Sequence, residues 1–173
     1  MMKKRNEIDF FDIAYHTEGE QSTMEIGIVD GHSAPAYTTS NASQKWNATI
    51  KNPKGKTFRF VPIDFNIEID RGDGQKESSC DGMVLCQSEK FIAFVELKDV
   101  KNNGDSDARK QLKITIQIFN ENHDYKLFST KNRRAYVANV SHPHFHSSKT
   151  NDEQEFRDVL HFKLYQQTDI EIP

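Results

Sequence analysis

Asp81, Glu96 and Lys98 are the residues whose types and spacing point to chemistry. Cys80-Asp81-Gly82-Met83-Val84-Leu85 carries one acid into an apolar run, and Phe94-Val95-Glu96-Leu97-Lys98 ends a second apolar run on an acid and a lysine. Side chains alternate across a strand, so Glu96 and Lys98 share a face with a single residue between them. If the two runs are partners in a hairpin, the carboxylates of Asp81 and Glu96 converge within a few ångströms, close enough to share a divalent cation. Two hard oxygen ligands beside an ammonium suit metal-assisted attack on a phosphate. The plainer alternative is a solvated ion pair at a strand end, worth at most about 1 kcal/mol. Against it, Phe91–Val95 is apolar enough to be buried on both faces, and charges ending such a strand sit where a sheet opens into a cleft.

These residues need a frame of strand, strand, helix and strand to position them. Phe58–Asp70 alternates as a long strand would, interrupted by Pro62, which favours an edge or a bulge. Arg71-Gly72-Asp73-Gly74 then turns the chain into the strand that bears Asp81. After Lys98 a polar loop leads to a helix from Asp105 to about Asn122, with Asp105 or Ser106 placed to cap it. Leu112, Ile116 and Phe119 recur at helical spacing and face the sheet, while Ile114 and Ile118 widen that face. A short strand, Ala135–Val140, follows. Elsewhere, residues 7–16 are spaced for a short amphipathic helix, and Gly27–Asn47 reads as turns and loop that Trp46 anchors to the core. Ser147–Glu155 reads as exposed loop, and Asp158–Ile172 as one terminal strand.

Asp81, the strand-length gap and Glu96-x-Lys98, in that order of elements, resemble the PD-(D/E)XK nuclease superfamily over about residues 58–140. The resemblance implies an α/β, restriction-endonuclease-like fold, with a mixed central sheet flanked by helices. It implies that Asp81 and Glu96 hold Mg²⁺ or Mn²⁺ together with the backbone carbonyl of Leu97, and that Lys98 orients a water and stabilises charge on the phosphate. Gln111 and Thr115 resemble the Gln-x-x-x-Tyr element that many members place behind the site, with Thr in place of Tyr. Gln111 is then the fourth catalytic candidate. Cys80 stands where a proline usually precedes the motif aspartate. The acid that members carry on an N-terminal helix is left open among Glu7, Glu18, Glu20 and Glu25. Glu77, Asp64 and Glu68 are further acids whose spacing puts them on site-facing strand faces, with solvated strand residues as the alternative.

The length of 173 residues suits one domain spanning 1–173. A net charge of −3 excludes a basic protein that coats nucleic acid, so phosphate binding has to be local. Arg109, Lys110 and Lys113, with Lys126, Lys131, Arg133 and Arg134, are the candidate cations for it. The resemblance makes nucleic acid the partner, DNA ahead of RNA, and allows a homodimer. Cys80 and Cys86 are six residues apart, roughly 20 Å along an extended strand, which predicts free thiols packed in the core on the face opposite Asp81. His142, His144 and His146 alternate and suit either a transition-metal site or a plain loop. No apolar segment behind the basic start forms a leader, and no run approaches the ~20 residues of a membrane span, so the cytoplasm is the expected compartment. Two rival functions stay open: a noncatalytic binding module on the same fold, and a structural protein whose acids only solvate a sheet end.

Overall fold

The computed structural model describes residues 5–101, 104–141 and 150–173, which form a mixed α/β fold containing two sheets. In chain order the elements begin with β1 Glu25–Val29, β2 Tyr37–Thr39, β3 Ala48–Lys51, β4 Arg59–Pro62, β5 Gly82–Cys86 and β6 Phe91–Lys98. Helix α1 Gly104–Asn122 and strand β7 Arg133–Asn139 come next, then the short helix α2 Thr150–Glu155, which runs into a π turn at Phe156–Leu160. Strands β8 Lys163–Gln166 and β9 Asp169–Glu171 close the chain.

The apolar run of β6 dictates its place. Phe91–Leu97 is buried throughout, and only a strand covered on both faces can hide consecutive apolar residues. Accordingly β6 is the middle strand of a five-stranded sheet ordered β4-β5-β6-β7-β8. Strand β5 is antiparallel to both β4 and β6, whereas β6, β7 and β8 run parallel. A parallel neighbour requires a crossover, which the segment containing α1 supplies between β6 and β7. Ala108, Leu112, Ile116, Ile118 and Phe119 of α1 pack on Ile92 and Phe94 of β6 and on Ala135 and Val137 of β7. Aromatic edges tighten this layer: the Phe94 and Phe119 rings lie 5.2 Å apart, and Phe10 meets Phe119 at 5.6 Å.

The fold is mixed α/β as expected, but the opposite face of the five-stranded sheet is covered by a second sheet and not by flanking helices. Its order is β2-β1-β3-β9, with β1 antiparallel to β2 and β3, and β9 parallel to β3. Ile26, Ile28, Ile50 and Ile170 of this sheet meet Phe60, Val84, Phe91, Val95 and Tyr136 of the other. The segment Gly27–Asn47 is mostly turn and loop, as expected, but it also contributes all of β2 and the last three residues of β1. Its signal was the alternation of Ile26 and Ile28, obscured by the Ser- and Gly-rich sequence after it. Trp46 does not reach the main core. Its ring lies across Gly27, where a Cβ would come within 2.2 Å of it.

Other boundaries also move. Residues 7–16 form a single 3₁₀ turn, Ile13–Tyr15, in place of a helix. Asp9 and Asp12 accept hydrogen bonds from the amides of Phe11 and Ala14, which diverts the backbone from helical pairing. The segment is instead tethered to the end of α1, where Asn122 Oδ1 and His123 Nε2 accept from the amides of Ile8 and Phe10. The long strand expected over Phe58–Asp70 stops at Pro62 on the sheet edge, as proline favours, and a turn follows. Residues 150–155 are helical, and Asp158–Ile172 is split into β8 and β9, one for each sheet. Asp105 sits within the first turn of α1, where its buried carboxylate accepts from Asn139 Nδ2 at 2.9 Å and Gln166 Nε2 at 2.6 Å. The cysteines are free and buried as expected, but β5 begins after Cys80, so Cys80 packs on the α1 side and Cys86 between the sheets. His142, His144 and His146 lie outside the described residues. Among the described residues, no helix is long and apolar enough to cross a membrane.

The layer between the sheets makes a direct prediction. Ile170 is fully buried there, so Ile170→Ala is expected to lower unfolding free energy by about 2–5 kcal/mol in urea titrations. A loss below about 1 kcal/mol would show that β9 does not pack on the five-stranded sheet.

Candidate active site

Asp81, Glu96, Lys98 and Gln111 come together at one end of the five-stranded sheet. Gly82 pairs with Val95, and one further step of that antiparallel register sets Asp81 opposite Glu96 on the α1 side. The two acids clasp each other's backbone. The Asp81 amide donates to Glu96 Oε2 at 3.2 Å, and the Leu97 amide donates to Asp81 Oδ2 at 2.7 Å. Lys98 Nζ lies 2.8 Å from Glu96 Oε1 and also donates to Gln111 Oε1 at 2.9 Å. Gln111 Nε2 in turn donates to the carbonyl of Ser79 at 3.4 Å. Thr115 Oγ1 accepts from the Cys80 amide at 2.8 Å and donates to the Gln111 carbonyl at 2.9 Å, which fixes the residue before Asp81 to α1.

The carbonyl of Leu97 belongs to the same cluster. A strand residue directs its N–H and C=O to the same side, and the Leu97 N–H points at Asp81, beyond the end of β5. The chain after Lys98 is held by Asn139, whose side chain accepts from the Val100 amide and donates to the Val100 carbonyl. Asn139 carries no motif signal, because its partner is 39 residues away in sequence.

Electrostatics set this cluster apart from a solvated ion pair. Burial pushes the Asp81 carboxyl up to about 6; the Leu97 amide and the Lys98 charge pull the other way, and the charges of Asp30 and Asp64 add to the rise. Glu96, whose side chain is 3% exposed, is held well above the ordinary carboxylate range by burial and then by the charge of Asp81, against the pull of Lys98. For Lys98, burial acts to lower the pKa, but the charge of Glu96 and its hydrogen bond outweigh it, so the ammonium is retained. Two acids thus face one lysine, with two more acids in electrostatic range. A cation answers that imbalance. The donors are carboxylate and carbonyl oxygens, the set that Mg²⁺ and Mn²⁺ favour. Among the described residues no group of three or more His, Cys, Asp or Glu side chains comes together to hold a metal, so the protein ligands would be Asp81, Glu96 and the Leu97 carbonyl. That is the short ligand list typical of Mg²⁺, which keeps water in its remaining positions.

The other acids and cations fall elsewhere. Glu18 accepts from the Thr38 amide, Glu20 faces Arg59 and Glu25 pairs with Lys51, while Glu7 is exposed, so none of the four supplies a further acid to the site. Asp30, just past β1, is the acid that the second sheet brings near Asp81. Glu77 pairs with Arg5 at 2.9 Å, Glu68 is exposed, and Asp64 pairs with Lys76 while staying within electrostatic range of Asp81. The expected cationic strip on α1 is largely neutralised: Arg109 and Lys113 both bind Asp152, and Lys113 also binds Glu155. Arg133 is buried, and Arg134 lies over the Phe91 and Tyr165 rings. A cavity of about 830 Å³ is lined by Leu85 and Phe91 at the far ends of β5 and β6 and is separate from the carboxylate pair. A smaller cleft of about 360 Å³ flanks the site, lined by Asp30, Tyr37, Lys45, Asn47 and Asp99.

Comparison with family models, curated proteins and solved structures finds no match.

The raised Asp81 pKa has a signed consequence. Between the unfolded value near 4 and about 6, the native state binds more protons than the unfolded chain, so stability falls as pH rises through that interval. Asp81→Asn keeps an acceptor for the Leu97 amide and removes the half-buried charge. It is expected to stabilise the fold by at most about 3 kcal/mol at pH 7.5 and by almost nothing at pH 4. Urea denaturation at the two pH values measures this; equal or lower stability of the variant at both would contradict the assignment of a strained, half-buried carboxylate.

Proposed function

We propose that this protein is a metal-dependent phosphodiesterase of the PD-(D/E)XK nuclease type, acting on nucleic acid and on DNA ahead of RNA. The observation that carries the reading is the continuous network from Asp81 through Glu96 and Lys98 to Gln111. Strand directions support it. Three antiparallel strands, a helical crossover and a fourth strand parallel to the third are the restriction-endonuclease-like core, which would here comprise β4, β5, β6, α1 and β7. On this reading β8 extends that core, and the four-stranded sheet takes the place of helices on its second face.

Asp81, Glu96 and the Leu97 carbonyl would hold Mg²⁺ or Mn²⁺. When bound, the cation supplies a polarised phosphate and a water of lowered pKa. Lys98 remains protonated through the working pH range, so it acts as a charge partner and hydrogen-bond donor to the phosphate side, and it is no general base. Gln111 holds the lysine in place from α1 and keeps its rotamer directed at Glu96. The burial of Glu96 and the partial burial of Asp81 favour catalysis over a structural protein that merely solvates a sheet end, since acids with that role would face water. A noncatalytic binding module on the same fold is the reading that an inactive protein would support.

Cleavage of a panel of DNA and RNA substrates is expected to require Mg²⁺ or Mn²⁺ and to stop with chelator. Asp81→Asn, Glu96→Gln and Lys98→Ala should each lower the rate by about 10²-fold or more with circular dichroism unchanged. Variants that cut as well as the parent would remove the site assignment, and a parent inert on every substrate would leave the binding module.

A further inference from the structure

The turn after β4 presents an exposed aromatic ring two residues beyond Ile63, the residue paired with Asp81. The Ile63 amide bonds to the Asp81 carbonyl at 2.9 Å and the Asp64 amide to the Cys80 carbonyl at 3.2 Å, so Phe65 follows directly on residues paired with the site. Phe65 is 52% exposed, and its φ of 61° lies in the left-handed region that aromatic side chains rarely adopt. A single exposed phenylalanine is ordinary, but an exposed one held in an unfavourable backbone conformation is not. The turn is rigidly closed. Asn66 Nδ2 donates to the carbonyls of Pro62 and Tyr15, and the Ile67 amide bonds to Ile63 O at 2.8 Å. Lys76 Nζ sits 4.3 Å from the ring centroid and is itself anchored on Asp64 at 2.6 Å. No packing within the fold repays the ring for its position, since it is not part of either core.

We infer that Phe65, backed by Lys76, is a stacking platform for an unpaired base next to the phosphate held at Asp81 and Glu96, which makes the substrate single-stranded or locally unpaired nucleic acid. This rests on the nuclease reading above. Every base offers a π face, so an exposed ring takes bases without sequence preference, and Lys76, held by Asp64, makes a cation–π contact with that ring. A base within an intact duplex is stacked on its neighbours and has no free face to offer.

The test measures binding in chelator, with a single-stranded oligonucleotide containing 2-aminopurine and a blunt duplex of the same sequence as probes. The parent is expected to quench the 2-aminopurine on binding. Phe65→Gly should lose the quench and bind the single strand roughly 5- to 100-fold more weakly, with duplex binding changed by less than about twofold. Its melting temperature should hold or rise, because glycine adopts a positive φ without strain. Phe65→Tyr should keep both quench and affinity. Unchanged single-strand binding and quench in Phe65→Gly overturns the platform, as does a loss shared equally by duplex binding and thermal stability, which marks a purely structural residue. A parent that binds neither probe and cleaves nothing overturns the nuclease reading and the platform together, whereas a cleaving parent with an unaffected Phe65→Gly overturns the platform alone.

Discussion

Everything at the candidate site follows from ending a doubly buried strand on charged residues. Seven successive residues of β6 are shielded on both faces, and the eighth, Lys98, sits where that shielding gives out. Glu96 is still inside it. A carboxylate in such a place is tolerated only with compensating partners, and here they are the Lys98 ammonium and the Asp81 amide. Asp81 repeats the arrangement from the neighbouring strand, with the Leu97 amide as its donor. Each acid is held by the backbone of the other's strand, so moving either one disrupts the end of the β5–β6 pairing as well as the charge balance.

This clasp explains why the pair has raised proton affinities instead of the lowered ones common for ion-paired carboxylates. Burial dominates both shifts, and the hydrogen bonds recover only part of it. Surface ion pairs elsewhere in the molecule behave in the opposite way: Asp152, held by Lys113 and Arg109, has a lowered pKa despite some burial. The contrast separates carboxylates that stabilise the fold from carboxylates that the fold keeps under electrostatic stress. Asp152 and Glu155 also occupy cations of α1 that would otherwise form a phosphate-binding strip, so recognition has to come from the rim of the site itself.

The second sheet reshapes the setting of the site without supplying its central residues. By covering Phe60, Val84, Val95 and Tyr136 it completes the burial of β6 and β7 from below, as helices would in a sheet covered by helices on both faces. It also carries Asp30 to the edge of the carboxylate pair and shapes the flanking cleft with Tyr37, Lys45 and Asn47. That contribution is long-range. It depends on β9, whose last residues lie far along the chain from β3 yet pair with it.

Local sequence was sufficient for the unit that holds the site. The alternation and apolar density of β5 and β6, the helical spacing of Leu112, Ile116 and Phe119, and the short strand after them are properties of neighbouring residues, so the order of strand, strand, helix and strand and the shared face of Glu96 and Lys98 were legible. The convergence of Asp81 and Glu96 was expected on the condition that the two runs pair as a hairpin, and the register that pairs Gly82 with Val95 meets that condition. What only the tertiary structure decided involves residues distant in sequence. The split of the last segment into β8 and β9 depends on two sheets competing for one apolar run, and no local period records which sheet takes which half. The helix expected at 7–16 lost to hydrogen bonds that Asp9 and Asp12 make with the backbone and to tethers on the end of α1. The neutralisation of Arg109 and Lys113 depends on an acidic helix about 40 residues downstream. Proton affinities, too, were decided by burial, which arises only when α1 and the sheet close over the pair, because a carboxylate's desolvation is set by the layers around it and not by its neighbours in the chain.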